Sequence, residues 1–237
     1  MLVWRNFGST GLNKVGILYL AAAVLTMALF VVAGTRRALV PRGFQTVAEA
    51  GVEFVQKNVI LETMGPDGIR FTTYLTTLFF FILFSNLFEI IPGIQFPPMA
   101  RMAMPLVLAL ITYGLYNVEG IRAQGFGHYI KNSLVPPGVP VGLLPLVVLI
   151  EFVSHFIVKP FSLAVRLFAN MLAGHLLLVT FAVLAQALFK ATYVGAVVPA
   201  VVLVALTAFE LLVAFLQAFI FAILTAVYLG GAMHPEH

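Results

Sequence analysis

The chain has no cysteine, a single tryptophan and little charge, since only 9% of its 237 residues are Asp, Glu, Lys or Arg. The absence of cysteine excludes disulfides, thiol catalysis and thiolate metal sites. The scarcity of charge is more informative, because about a quarter of the residues in an ordinary soluble domain are charged. Hydrophobic residues make up 62% of the chain instead. This balance predicts a protein whose surface mostly faces lipid.

Long apolar runs are the main feature that the sequence does contain. In a bilayer, only helices or a closed barrel satisfy all of the backbone hydrogen-bonding groups. These runs reach the roughly 20 residues that a spanning helix needs, and they do not alternate as barrel strands do. We therefore predict an all-α, polytopic membrane protein with a single membrane domain of about five membrane helices. Two of these helices, near the C-terminus, are predicted to be long and tilted.

The bounds of the predicted segments follow from glycine, proline and charged residues. Apolar runs predict spans at 15–34, 72–91 and 102–118, a long tilted helix or a hairpin at 141–189, and a long tilted helix at 194–229. Residues 40–63 mix apolar residues with Glu49, Glu53 and Lys57. That mixture predicts an amphipathic helix lying at the interface or against the bundle, or else a short soluble helix. A turn is expected at residues 65–68.

The basic residues are scattered along the chain, which argues against nucleic-acid binding despite a net charge of +4. In membrane proteins such residues mainly orient the loops. With the N-terminus outside, the inner set is Arg36, Arg37, Arg42, Lys57, Arg70, Arg122 and Lys131, and the outer set is Arg5, Lys14, Arg101 and Lys190. This bias predicts a cytoplasmic C-terminus, and the composition favours a bacterial plasma membrane.

Arg166 is the first candidate functional residue. It lies within an apolar helix, between Phe161 and Phe168, and we expect it to be buried. Burying such a residue in a span costs roughly 2.5–3.5 kcal/mol even on insertion scales. Because a guanidinium keeps its proton, it can form a permanent ion pair. Alternatively, it can attract a carboxylate that arrives and leaves, while it repels protons.

Three stretches of sequence carry a resemblance to a known family. They are Lys159 to His175 (KPFSLAVRLFANMLAGH), Phe209 to Leu229, and Ser85 to Gly93 (SNLFEIIPG). In order and spacing they resemble subunit a of the F-type ATP synthases, and the resemblance extends from about Val40 onward. It implies a proton-translocating membrane subunit that is not an enzyme by itself and holds no cofactor. The implied partners are a rotating ring of c subunits, the b subunits of the peripheral stalk and the rest of the complex.

The resemblance also implies a role for individual residues. Two offset aqueous half-channels would lead protons to and from a carboxylate of the ring, with Arg166 separating them. The implied inlet residues are Asn86, Glu89, Asn170, His175, Glu210 and Gln217, and the implied exit residues are Glu151, Ser154 and His155. The family places an acid and an imidazole at positions 175 and 210, so we expect these two residues to meet. Gln217 is expected to lie against Arg166.

Structural roles remain open beside these functional ones. Asn170 and Gln217 can form simple interhelical hydrogen bonds, and His175 with Glu210 can form a static ion pair. Glu89 can be an interfacial acid. Lys159 is expected to extend toward the interface. Arg101 and Glu119 are expected only to mark the ends of spans.

Two other classes of protein compete with this reading. A secondary transporter could use Arg166 to bind an anionic substrate, but the sequence shows no internal repeat of the transporter kind. A membrane enzyme is the third possibility, but no phosphate loop or nucleophile elbow is present. The histidines lack close pairing except His234 and His237, so no metal site is expected. Ion choice, proton or sodium, rests mainly on the ring and not on this chain; we favour protons.

Overall fold

The structure is a computed structural model that describes residues 14–35, 43–91, 94, 97–135, 141–191 and 197–233. Several positions used above lie outside these residues, namely Arg5, Arg36, Arg37, Val40, Arg42, Gly93, His234 and His237. The start of the last predicted span, at residues 194–196, also lies outside them.

Within the described residues the chain forms eight α-helices and no strand. They are α1 (Lys14–Thr35), α2 (Phe44–Val55), α3 (Thr72–Leu87), α4 (Ala103–Gln124), α5 (Phe126–Leu134), α6 (Leu144–Val153), α7 (Lys159–Ala191) and α8 (Val197–Met233). Five helical segments are long and apolar enough to cross a membrane. The prediction of an all-α polytopic membrane protein with two long C-terminal helices is therefore confirmed.

The segment around α2 is amphipathic, as its sequence indicates. Ala48 and Val55 are buried against the bundle, whereas Glu53 and Lys57 are exposed and form an ion pair at 2.5 Å. The helix continues beyond α2 as a π-helix, Gln56–Leu61. We find α2 packed on α1 and α3, so this segment lies against the bundle.

Two helix boundaries differ from the sequence prediction. Residues 65–68 are not a simple turn, because they begin a 3-10 helix, Gly65–Phe71, that leads directly into α3. Helix α4 continues past its predicted end at Val118 to Gln124. The charge of Glu119 does not end α4, because its carboxylate is neutralised by ion pairs with Arg70 and Arg122.

The long apolar stretch after residue 141 is a single helical rod and not a hairpin. Helices α6 and α7 are joined by a π-helix, Ser154–Val158, without a break. A π-helical turn inserts one extra residue locally, and such turns often occur at functional sites. At about 1.5 Å per residue, the 37 residues of α8 alone exceed the roughly 30 Å thickness of a bilayer core.

Helix α8 packs against α3, α4 and α7 through a stripe of small side chains. Ala214, Ala218, Ala222 and Ala226 recur at every fourth position, and each is at most 1% exposed. Small residues at this spacing let helix backbones approach closely in a membrane, where close packing replaces the hydrophobic effect as the driving force. This stripe fixes which face of α8 is turned inward.

The other faces of the two long C-terminal helices remain largely uncovered. Only 17% of the most apolar stretch in each is buried, compared with 28% to 50% in the other three spans. These helices therefore expose a broad apolar surface that lipid or another protein must cover.

Candidate functional site

Arg166 lies on the outer surface of α7, so the expectation that it is buried is wrong for the chain by itself. Its neighbours Leu163 and Leu167 are 3% and 0% exposed and hold the opposite face of α7 against the bundle. Within the described part of the chain, Arg166 forms no hydrogen bond or ion pair. Its guanidinium therefore presents five donors and a permanent charge on an otherwise apolar, outward-facing surface.

Asn170 lies one helical turn after Arg166 on the same outward surface. Its Nδ2 donates a hydrogen bond of 2.7 Å to Oε1 of Gln217 on α8. Gln217 is buried at 2% exposure, so this bond ties the outer face of α7 to the interior of the bundle. Gln217 thus forms its hydrogen bond with Asn170 and forms none with Arg166 among the described residues. The expected position of Gln217 against Arg166 stays a prediction.

His175 faces Glu89, which follows the end of α3. His175 Nδ1 lies 3.4 Å from Oε1 of Glu89, and the Glu89 side chain is only 2% exposed. This distance suits an ion pair but is longer than a well-formed hydrogen bond, and Glu89 Oε1 accepts no hydrogen bond from the described residues. The structure thus pairs the imidazole with Glu89.

Glu210 completes this group from α8. Its carboxylate lies against Gly174, the residue before His175, so closely that a Cβ at Gly174 would come within 2.6 Å of the Glu210 Cδ. Glu89 is also near enough to Glu210 to interact with it electrostatically. Glu89 therefore lies near both His175 and Glu210, and we call these three residues the inner acid cluster. A direct contact between His175 and Glu210 stays a prediction.

Buried oxygen atoms without a hydrogen-bond partner concentrate around the inner acid cluster. Five such side chains occur among the described residues: Thr76, Ser85, Asn86, Glu89 and Glu210. Four of the five lie at the end of α3 or on the facing part of α8. Asn86 Nδ2 reaches the Ala214 carbonyl of α8 at 3.5 Å, which is at the limit of a hydrogen bond. Buried polar atoms normally have partners, so this concentration marks an unusual site.

A cavity of about 330 Å³ opens onto the inner acid cluster. Glu89 and His175 line it together with Thr207 of α8, and its remaining lining residues are apolar. It lies between the end of α3, the second half of α7 and the first half of α8. The cavity therefore provides a route from the outside of the helix bundle to two titratable side chains.

A second polar group surrounds the π-helix. Glu151 and Ser154 are half-buried there, while His155 is 8% exposed. Lys159 Nζ donates to His155 Nδ1 at 3.1 Å, and His155 Nε2 lies 3.0 Å from the hydroxyl of Tyr129 on α5. Because an ammonium only donates, Nδ1 accepts and the Nε2–H donates to the Tyr129 oxygen.

The hydrogen bonds beyond His155 run in the same donor-to-acceptor direction as those from Lys159 to His155 and from His155 to Tyr129. Tyr129 OH donates to Asn117 Oδ1 at 2.9 Å, and Asn117 Nδ2 donates to the Tyr113 carbonyl at 2.7 Å. Burial raises the pKa of Tyr129 to about 12, so its hydroxyl keeps its proton. His155 is therefore held in one tautomer by partners on both sides.

Sequence reasoning missed several members of these groups. Lys159 does not simply extend to the interface, because its ammonium bonds His155 and lies close enough to Glu151 to interact electrostatically. The spacing of four residues between His155 and Lys159 is a signal that could have identified this pair. Nothing in the sequence connects Tyr129 to the site, since it reaches His155 from α5. Ser85 could have been found, because it precedes Asn86 directly and Glu89 by four residues.

Comparison with known proteins now decides the family. The sequence profile described as ATP synthase A chain matches residues 16–230, from the first turn of α1 to the last turn of α8. The chain belongs to this family. The ATP synthase subunit a of Rhodococcus erythropolis is 46% identical over 241 residues, covering 97% of this chain and 85% of that protein. That of Frankia alni is 44% identical, covering 95% and 79% respectively.

A third relative in the family, the ATP synthase subunit a of Rhodopseudomonas palustris, is 46% identical and covers 92% of this chain and 87% of its own length. The resemblance carried by three short stretches is therefore confirmed over nearly the whole chain. All of the polar residues described above lie within the part of the chain that matches the ATP synthase A chain family.

Proposed function

We propose that this chain is the stationary proton-path subunit of a rotary ATP synthase. In this proposal it offers two half-channels to the carboxylates of a rotating c-subunit ring, and Arg166 separates them. The observation that carries the proposal is the position of Arg166, which is exposed on an apolar face of α7 and has no protein partner among the described residues. A charge at this depth in lipid is costly, so its partner must come from another subunit.

A ring carboxylate suits this position for a physical reason. The carboxylate must be neutral while it faces lipid and charged while it faces this subunit. A fixed guanidinium nearby stabilises the charged form and so favours release of the proton. The same positive charge repels a proton that would otherwise pass directly between the half-channels.

The inner acid cluster is our candidate for the inlet. Glu89 and His175 line an open cavity of about 330 Å³, and Glu210 lies close enough to Glu89 to interact with it electrostatically. One buried carboxylate oxygen each of Glu89 and Glu210 has no hydrogen-bond partner within the described residues, which supports groups whose partners change as protons pass. On α7, Asn170 lies between Arg166 and His175 and bonds Gln217 of α8. On α8, Asn86 of α3 reaches the Ala214 carbonyl, which lies between Glu210 and Gln217.

The π-helical segment is our candidate for the exit. Glu151 and Ser154 lie on the N-terminal side of Arg166 in the same helical rod, and His155 connects them to the buried bonds of Tyr129 and Lys159. Because His155 is held in one tautomer, we propose that it positions the π-helix beside the path more than it carries protons itself.

The b subunits of the peripheral stalk and the remainder of the complex are the other proposed partners. The names of the relatives support this assembly, and their bacterial sources support a plasma-membrane location. The distribution of basic residues supports a cytoplasmic C-terminus.

Cysteine cross-linking tests the proposed ring contact, and the chain has no native cysteine to interfere. Ala173 and Leu177 are exposed and continue the stripe of Arg166 and Asn170 at helical spacing. Because these positions lie about 10 Å and 16 Å along α7 from Arg166, we expect A173C and L177C each to form a disulfide with a cysteine placed at the same depth on the outer helix of the ring. L110C, on the exposed face of α4, should not. Equal cross-linking from all three positions would contradict the proposal.

A further inference from the structure

A separate polar cluster lies where α3 begins and α4 ends, and the proton path does not use it. We call it the arginine–glutamate cluster: Arg70, Glu119 and Arg122. Arg70 Nη2 lies 3.2 Å from Oε2 of Glu119, and Arg122 Nη1 lies 2.9 Å from Oε1. Each carboxylate oxygen thus holds one arginine. The expectation that Glu119 only marks the end of a span is wrong.

The arginine–glutamate cluster lies near one end of the helix bundle. Arg70 also contacts Sδ of Met233 at the end of α8, and Gln124 Nε2 donates to the Ala232 carbonyl at 2.7 Å. The ends of three spanning segments therefore meet here. Glu119 is five residues before the end of α4, which places it only about 7.5 Å inside that end.

The two guanidiniums retain unused donors and net positive charge. Hydrogen bonds and ion pairs within the described chain use only Nη2 of Arg70 and only Nη1 of Arg122, and the Arg70 guanidinium also lies 4.8 Å from the centre of the Phe71 ring. The Nε and the other terminal nitrogen of each arginine remain for a ligand. The Arg70 and Arg122 side chains are 56% and 72% exposed, whereas that of Glu119 is 10% exposed. Glu119 therefore orients two accessible arginines and leaves one positive charge in excess.

A cavity of about 410 Å³ lies against these side chains. The three charged residues form its polar lining, and Phe71 and Ala123 supply apolar surface beside them. This pocket combines guanidiniums with apolar surface and lies at the end of the helix bundle. It therefore suits an anion that also carries an apolar part. Arginine suits phosphate because its planar donors bind two oxygens at once.

We propose that the arginine–glutamate cluster binds the phosphate headgroup of an anionic glycerophospholipid. Basic pockets between membrane helices bind such headgroups at the membrane surface. The apolar lining of Phe71 and Ala123, together with the position of the pocket at the ends of three spanning segments, favours a lipid over free phosphate. The exposure of both arginines toward the membrane surface gives the headgroup access from the surrounding bilayer.

The test uses the purified full-length chain in detergent, with phosphatidylglycerol and phosphatidylcholine titrated separately and bound lipid counted by native mass spectrometry. The variant is R70Q/E119Q/R122Q, which removes both arginines without leaving a buried carboxylate unpaired. The matched control is K131Q on the neighbouring helix α5. Both variants lower the net charge by one. A difference in lipid binding between them therefore reflects the arrangement of the two arginines and not the loss of one positive charge.

We expect the wild-type chain to bind phosphatidylglycerol in preference to phosphatidylcholine. The triple variant should bind phosphatidylglycerol at least about five-fold more weakly, since it loses both arginines that contact the headgroup and one such contact contributes roughly that factor. K131Q should bind as the wild type does. Equal losses in both variants, or no loss in the triple variant, would overturn the proposal.

Two further arms identify the source of the anion. Inorganic phosphate at the same concentration should not displace the lipid, and displacement would show a free-phosphate site instead. A soluble polyglutamate peptide should not compete either. If the peptide displaced phosphatidylglycerol, the site would belong to an acidic protein segment and the lipid proposal would be overturned. None of these measurements requires the c-ring, so their outcome is independent of the proposed proton path.

Discussion

The Glu210 carboxylate on α8 lies directly against the Cα of Gly174 on α7, in the space that a side chain at position 174 would occupy. The Glu210 carboxylate therefore fits beside α7 only because position 174 has no side chain. This contact brings Glu210 beside His175 and defines the inner acid cluster.

We predict that G174A disrupts the inner acid cluster. The added Cβ would come within 2.6 Å of the Glu210 Cδ, so the carboxylate, at the far end of a flexible side chain, must move away from Gly174. ATP-driven proton pumping by the assembled complex should therefore decrease, whereas the unfolding temperature of the purified chain should change little. G174A/E210A should pump no faster than G174A, because it lacks the carboxylate altogether.

G114A is the matched control, since a Cβ at Gly114 in α4 meets nothing within 4 Å. Replacing this helical glycine should stabilise the chain slightly, by about 0.5–1 kcal/mol. If G174A behaved as G114A does, the close packing of Glu210 on Gly174 would be wrong.

The hydrogen bond from Asn170 to Gln217 should appear as energetic coupling. A double-mutant cycle of N170A, Q217A and the double variant should give a coupling of about 0.6 kcal/mol, the usual value for such bonds in membranes. Reversible unfolding in mixed micelles measures it. A cycle of N170A with T180A is the control, because the Thr180 hydroxyl bonds the Leu176 carbonyl of its own helix. Equal coupling in both cycles would contradict a specific bond.

Exchange of Glu89 and His175 tests whether these two residues meet in the working protein. E89H or H175E alone places two like groups at 3.4 Å, whereas E89H/H175E restores one acid and one imidazole. We expect the double variant to pump protons faster than either single variant. E49Q, which removes an exposed acid of α2, should pump at the wild-type rate. A double variant no better than the worse single variant would show that the two residues act separately.

The hydroxyl of Tyr129 should stabilise the segment around the π-helix. Y129F removes its bonds to His155 and Asn117, each worth about 1 kcal/mol. Y228F is the control, because a phenylalanine ring keeps the contact with Lys159 Nζ, 5.8 Å from its centre. The unfolding temperature of Y129F should be lower than that of Y228F, and equal unfolding temperatures would contradict this role.

The pKa of Tyr129 gives the Y129F comparison a pH dependence. Burial raises this pKa from 10.0 to about 12. Above the unfolded value the unfolded chain releases the proton while the folded chain keeps it, so the folded state loses stability as pH rises. The stability advantage of wild type over Y129F should therefore be constant near neutral pH and decrease above about pH 10. An advantage that increased in that range would contradict a buried, proton-donating hydroxyl.

The sequence predicts the spans well because apolar length alone determines whether a helix can cross a bilayer. It fails at Glu119, because one of the two ion pairs that let α4 continue comes from Arg70, far away in sequence, although the other comes from Arg122 in the same helix. It also fails for the orientation of Arg166, since helical spacing shows which residues share a face but not which face another subunit covers. Similarly, Glu89 and His175 are 86 positions apart in sequence, and only the packing of α7 beside the end of α3 brings them into contact.

The exposed position of Arg166 leads to the most direct measurement, which is ATP-driven proton pumping by the assembled complex carrying R166A. L177A, a truncation on the same outward face of α7, is the control and should retain pumping. We predict that R166A abolishes proton pumping while the complex still assembles. Pumping by R166A at the wild-type rate would contradict the claim that Arg166 separates the two half-channels.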